Sequence, residues 1–283
     1  MKFGKLTLTS EFELGFPNLN IQILQPNTEE KLELITAGTV WNVPQWKGKH
    51  IPKATLNTQL LSAYSKVFTA IEFNGSFYRI PQTEQIEKWR CQVEDDFLFC
   101  PKWPQSISHW RQFENCEREI DLFFVALDAF GKNLGPSFIQ LPHHFGVQKI
   151  DRFMRFLDNL PHDLKLGVEF RHSSWFENNN IEEIAAFFSH RNWSIITSDT
   201  LGRRDAMHGI ITSSDLIIRF GGAQCSWADT DRIGWWVSQF PEMKSKGVKR
   251  VWIWIHQEDS VLTPESAQQW LAESMKLQFV QGR

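Results

Sequence analysis

The sequence predicts an α/β protein, a TIM-type (β/α)₈ barrel built as a single domain with a short N-terminal extension. Three observations carry that prediction. Eight short β-rich runs recur from residue 34 onward, amphipathic helical stripes separate most of them, and no linker-like stretch divides the 283 residues. A parallel sheet with helical crossovers explains the alternation, and eight such units close naturally into a barrel. An open doubly wound sheet is the alternative, but the chain carries neither a GxGxxG nor a P-loop.

The runs are LITAGTV (34–40), AIEFNGSF (70–77), FLFCPKW (97–103), PSFIQLP (136–142), KLGVEFR (165–171), SIITSD (194–199), LIIRFGG (216–222) and RVWIWIH (250–256). Between them, apolar residues return at three- and four-residue spacing, the mark of a helix packed by one face. Leu56, Leu60, Leu61, Tyr64 and Phe68 form one stripe, and Ile120, Phe123, Phe124, Leu127 and Phe130 another. Ile150–Phe153–Met154–Leu157, Ile184–Phe187–Phe188 and Ile233–Trp236–Val237–Phe240 repeat the pattern, with a weaker one at Ile86, Trp89 and Val93. Thr263-Pro264-Glu265 reads as an N-cap with proline in the first turn of a last helix. Residues 200–215 carry no stripe, so the sixth crossover is predicted to be a long loop. Residues 1–33 form the extension and 34–283 the barrel domain.

Composition narrows the function classes. Thirty Lys and Arg against 33 Asp and Glu give a net charge of −3, with no long basic run. This argues against a non-specific nucleic-acid or membrane-surface binder. The four cysteines form no CxxC, no signal peptide is evident, and no apolar stretch approaches the roughly 18 residues of a membrane span. The expectation is a cytoplasmic protein with reduced thiols. Thirteen tryptophans and 23 phenylalanines against two tyrosines point to a large aromatic core.

In a (β/α)₈ barrel the working residues stand at the carboxyl ends of the strands. That filter selects Glu72, Asn74, Ser76, Tyr78 and Arg79 from the second strand, Lys102 and His109 from the third, and Gln140 and His143 from the fourth. The fifth supplies Glu169, Arg171 and His172, the sixth Asp199, the seventh Arg219 and the eighth His256. Strand parity places Glu72, Asn74 and Ser76 on one face, opposite Ile71 and Phe73. A carboxylate inside a barrel is costly unless paired, and Arg79, Lys102, Arg171 and Arg219 are the available cations.

Two readings compete. In one, Glu72, Glu169, Lys102 and His172 are catalytic, while Asn74, Tyr78, Arg79, Arg171, Arg219, Trp41, Trp175 and Gln140 bind a small anionic substrate. In the other, the same charges form a structural ion-pair network. The functional reading implies a hydrolase or lyase using carboxylate acid–base chemistry on an anionic, phosphorylated or carboxylated molecule. A metal-dependent phosphoesterase, nuclease or isomerase is a second enzyme class. It would draw on Glu72, Glu169, Asp199, His172 and His256, although no metal-ligand motif is present and no cofactor is implied. A non-catalytic protein holding a metabolite or a nucleic-acid end is a third, with loop tryptophans (Trp41, Trp103, Trp110, Trp175, Trp227) either stacking on ligand or packing over the mouth. A retaining glycosidase fits poorly, because the fourth and seventh strands end in Gln140 and Arg219 rather than in carboxylates.

Five segments, GTVWNVPQWKG (38–48), IEFNGSFYRIP (71–81), PKWPQSISH (101–109), LGPSFIQLPHHF (134–145) and GVEFRHSSWF (167–176), resemble the YecE-like family, also called domain of unknown function 72. The resemblance spans most of residues 36–275. It implies a TIM-barrel fold but no known reaction. The family's motif positions fall on Glu72, Asn74, Phe77, Tyr78, Arg79, Lys102, His109, Gln140, Glu169, Arg171, His172 and Trp175. The chain departs from the family at Arg219-Phe220-Gly221-Gly222, at Ile255-His256-Gln257-Glu258-Asp259, and before Trp41, where the usual Ser-Gly is missing. One wall of the expected pocket has therefore diverged.

Overall fold

The computed structural model describes residues 13–23 and 31–282. In chain order the strands are β1 (Asn20–Ile21), β2 (Leu32–Gly38), β3 (Ala70–Phe73), β4 (Leu98–Pro101), β5 (Ser137–Gln140), β6 (Leu166–Glu169), β7 (Ser194–Ile195), β8 (Thr197–Thr200), β9 (Ile210–Ile211), β10 (Asp215–Gly221), β11 (Arg250–His256) and β12 (Val280–Gly282). The helices are α1 (Leu60–Tyr64), α2 (Gly75–Tyr78), α3 (Thr83–Arg90), α4 (Glu117–Ala129), α5 (Ile150–Asp158), α6 (Asn180–His190), α7 (Trp227–Ser245) and α8 (Thr263–Ser274).

The strands run parallel in every described pair, giving an α/β fold. One sheet has the order β4-β3-β2-β11-β10-β8, with β12 also on β2; a second is β5-β6-β7. The two sheets abut along both margins. Bridges Phe99–Leu134 and Lys102–Phe138 tie β4 to the β5 side, and Ile196 N donates to Val168 O (2.8 Å) where β7 passes into β8.

Period-two alternation sorts the side chains. Residues such as Ile71, Phe73, Ile218 and Phe220 pack under the helices, in a core that includes Trp46, Tyr64, Trp236 and Trp270. Their strand neighbours Ala70, Leu98, Phe138, Ile217, Trp252 and Trp254 form a separate buried cluster with no helix residue in it. This strand-only core is sealed by polar groups at each end. At the amino ends Asp215 accepts from Arg250 and from Trp252 Nε1 (2.9 Å).

Two expectations change. The second strand stops at Phe73 instead of reaching residue 77, because the chain turns into α2. A Cβ at Gly75 would lie 2.7 Å from the Phe73 ring, so only glycine lets the backbone fold back this closely. Ser76 therefore leaves the strand face and donates to Phe73 O (3.1 Å) and Lys102 O (2.7 Å). Leu56 also lies outside its expected stripe: it precedes α1 and is 62% exposed.

The sixth crossover lacks an α-helix, as its composition predicts, and part of the extension covers it. Asn20 N and Gln22 N donate to Gly209 O (2.9 Å) and Ile211 O (2.8 Å), pairing β1 with β9. Gly209 has φ +67°, and a Cβ there would meet Asn18 O at 2.5 Å. Arg204 donates to the Leu14 and Gly15 carbonyls, and Phe16 stacks on Trp235 at 4.9 Å. Residues 1–12 and 24–30 of the extension lie outside the described residues. Among the described residues no helix is long and apolar enough to cross a membrane.

Candidate functional site

Sheet register brings the polar residues together. Gln140 pairs with Glu169, and Arg219 lies beside Ser198 on one side and Trp254 on the other. At this level Gln140, Glu169, Ser198 and Arg219 lie on one side of their strands, so residues distant in sequence meet.

Arg219 occupies the centre. Its Nε and one terminal nitrogen donate to Glu72 Oε2 (3.1 Å) and Oε1 (2.8 Å), and the other donates to Glu169 Oε2 (2.5 Å). A planar guanidinium suits this fork geometry. Asn74 Nδ2 donates to Glu72 Oε1 (2.9 Å), while Gln140 Nε2 and Ser198 Oγ donate to Glu169 (2.5 and 2.7 Å). His256 Nε2 lies 2.6 Å from Glu72 Oε2 and 2.9 Å from Arg219. His256 thereby joins the end of β11 to the charged cluster.

Lys102 differs from the other cations. The residue is 6% exposed, and its ammonium donates to Gln140 Oε1 (2.8 Å) and stands over the Phe77 ring at 4.1 Å. Among the described residues no carboxylate lies within ion-pairing distance of it.

These surroundings set the protonation states. Burial pushes the Glu72 carboxyl up, but Arg219 and His256 outweigh it and hold it well below the usual carboxylate range. Burial likewise opposes ionisation of Glu169, yet Arg219 and Arg171 bring it down to about 2. Both are therefore ionised at neutral pH. They are weak bases and have no proton to give, unlike a general acid. Lys102 moves the other way: burial, then the Arg219 charge, lower it to about 8, against the pull of Glu72 and Glu169. His109, set edge-on to Phe77, is lowered to about 4 by burial and by Lys102.

Of the expected site residues, direct hydrogen bonds join Glu72, Asn74, Lys102, Gln140, Glu169 and Arg219. Arg171 is half-buried and acts on Glu169 and Arg219 through its charge. Others stand apart. His172 caps the turn that follows β6, accepting from Ser174 N (3.1 Å). Trp175 is fully buried, packs on Phe170 and donates to Phe145 O, so it belongs to the core and not to a ligand surface. Trp41 packs on Phe73 and Trp89 in the helix layer. Tyr78 at the end of α2 and Arg79 just after it are exposed.

Asp199 also falls outside the cluster, because parity turns it toward the helices. It accepts from Arg232 (2.9 Å), Arg204 (2.5 Å) and Trp236 Nε1 (2.8 Å). The five residues of the metal alternative thus do not converge, and among the described residues no group of three His, Cys, Asp or Glu is placed to hold a metal ion. Ser198 is the residue that sequence reasoning missed: the neighbouring aspartate drew attention from the hydroxyl that faces inward.

Fold and site together define an α/β protein with parallel strands whose carboxyl ends carry a buried charged cluster. The chain belongs to the family described as Protein of unknown function DUF72, whose model matches residues 36–281. UPF0759 protein YecE of Escherichia coli (strain K12) is 26% identical over 242 residues, covering 79% of this chain and 88% of that protein. UPF0759 protein YunF of Bacillus subtilis (strain 168) is 29% identical over 149 residues, 50% of this chain and 53% of that one. Among solved structures, a DUF72 family protein from Enterococcus faecalis V583 superposes with TM-score 0.68 at 18% identity, covering 88% of this chain and all of that one. One from Thermotoga maritima MSB8 gives 0.64 at 19% identity, with 87% and 99% covered. These structures speak to the fold alone.

Proposed function

We propose that the protein is an enzyme that binds a small anionic molecule at the carboxyl ends of its strands, with Lys102 as its proton-transferring group. The abutting parallel sheets and the strand-only core support a single (β/α)₈ barrel for residues 34–283, in which this cluster occupies the usual catalytic end. The observation that carries the reading is the placement of Lys102: buried, bonded to a neutral amide and ion-paired with none of the described carboxylates. Two carboxylates face three cations (Lys102, Arg171 and Arg219), leaving one positive charge in excess for an anionic group. Glu72 and Glu169 serve as the frame that fixes Arg219 and Gln140, and Lys102 is the group that titrates near neutrality. Hydrolase and lyase chemistry both fit such a site.

A thermal-shift screen of phosphorylated and carboxylated metabolites against the full chain and Lys102→Met tests this. At least one anion should raise the melting temperature of the wild type and leave the variant unshifted. Stabilisation of neither protein, or of both equally, contradicts it.

A further inference from the structure

Deepening that reading, we infer that Lys102 forms a covalent imine with a carbonyl group of the anionic substrate, which makes the substrate class a small oxo-acid or a phosphorylated aldehyde or ketone. The inference rests on the site binding a small anion, and it adds a nucleophilic role that proton transfer alone does not require.

Four features of the geometry point to it. The backbone beneath the side chain is fixed at both ends: Lys102 N donates to Phe73 O (3.0 Å), and Lys102 O accepts from Ser76 Oγ (2.7 Å). The carboxylates that could hold the amine as an ammonium are already taken, Glu72 by the Nε-bearing edge of Arg219 and Glu169 by its remaining nitrogen. The amine is left on Gln140 Oε1, and this amide cannot flip, because its nitrogen is committed to Glu169. A carbonyl oxygen accepts a hydrogen bond equally from an ammonium or a neutral amine, so the contact survives loss of the proton. Finally, the Phe77 and Phe138 rings, 4.1 and 5.9 Å from Nζ, limit water around the nitrogen. A desolvated lysine beside other cations is a recognised way to keep an amine nucleophilic.

In the reaction the Nζ lone pair attacks the carbonyl carbon, and the C=O π pair moves to oxygen, which takes a proton. The carbinolamine nitrogen sheds one proton to solvent. Its lone pair then expels the hydroxyl group, which leaves as water after taking a further proton. The product is a protonated C=N linkage to Lys102, with no oxidant or reductant needed.

The full chain is incubated separately with glyoxylate, pyruvate, 2-oxoglutarate and glyceraldehyde 3-phosphate in the presence of sodium cyanoborohydride, which reduces the imine to a stable secondary amine. Peptide mass spectrometry then locates the adduct. At least one probe should modify Lys102 ten-fold or more above the exposed Lys66 and Lys276. Lys102→Arg, matched to the wild type by circular dichroism, should lose that adduct. Equal labelling of all three lysines with every probe, or no adduct at all, overturns the imine. Lactate and glycerol 3-phosphate, which have no reactive carbonyl, separate the two claims by thermal shift. Lys102-dependent stabilisation by either anion without any trapped adduct leaves the anion site standing and removes the imine. Neither stabilisation nor adduct removes both.

Discussion

A single guanidinium bridges two buried carboxylates here, and each of the three side chains is at most 4% exposed. Taking one partner from such a group strands the others in a medium that solvates charge poorly. Arg219→Met should therefore cost about 3–5 kcal/mol in a urea titration, and a loss below about 1 kcal/mol would contradict the pairing. Much of this residue-level arrangement is legible in the sequence. Position at the carboxyl ends of the strands selects Glu72, Gln140, Glu169 and Arg219, and strand parity turns Glu72 inward. Two residues close to the cluster in sequence are turned away from it in the fold. Asp199 faces Arg232 and Trp236, which lie on α7 more than 30 residues later. Trp175 stands next to the site in sequence but drops into the core once the turn 173–175 forms.

At the scale of elements, the turn from β3 into α2 decides how Lys102 is held. Ser76 Oγ links Phe73 O and Lys102 O, so the hydroxyl clamps the ends of β3 and β4 together. Ser76→Ala leaves a buried carbonyl short of a donor and should destabilise the protein by about 1–3 kcal/mol. If Lys102 depends on the clamp, the variant should also bind the anion found in the thermal-shift screen more weakly; unchanged stability and binding would contradict that role. The alternating EFNGS pattern reads as continued strand because local periodicity cannot register the Phe73 ring lying over Gly75. The same limit applies to the extension. Its two-residue strand pairs with β9, nearly 190 residues away, and no periodicity in either segment announces the match.

Across the whole molecule, the α/β class and most of the strand positions follow from patterning, because buried parallel strands and one-sided helices leave strong periodic marks. Charge state is a property of the assembled molecule. The folded-state pKa values of Glu72 and Glu169 lie below their unfolded values, so their contribution to stability is present above about pH 4.5. It is lost as pH falls toward about 2. Unfolding free energy should decline steadily across that window, and Arg219→Met should flatten the decline. A wild-type profile with no slope there would contradict the buried pairs.

The state of the Lys102 amine can be read from a ¹³Cε NMR titration of labelled lysines, assigned with Lys102→Arg. One lysine should titrate near pH 8, well separated from the rest, because burial and the neighbouring Arg219 oppose its charge. A Lys102 midpoint at the ordinary value of about 10.4 would rule out a proton-transferring lysine and return the cluster to a purely structural role.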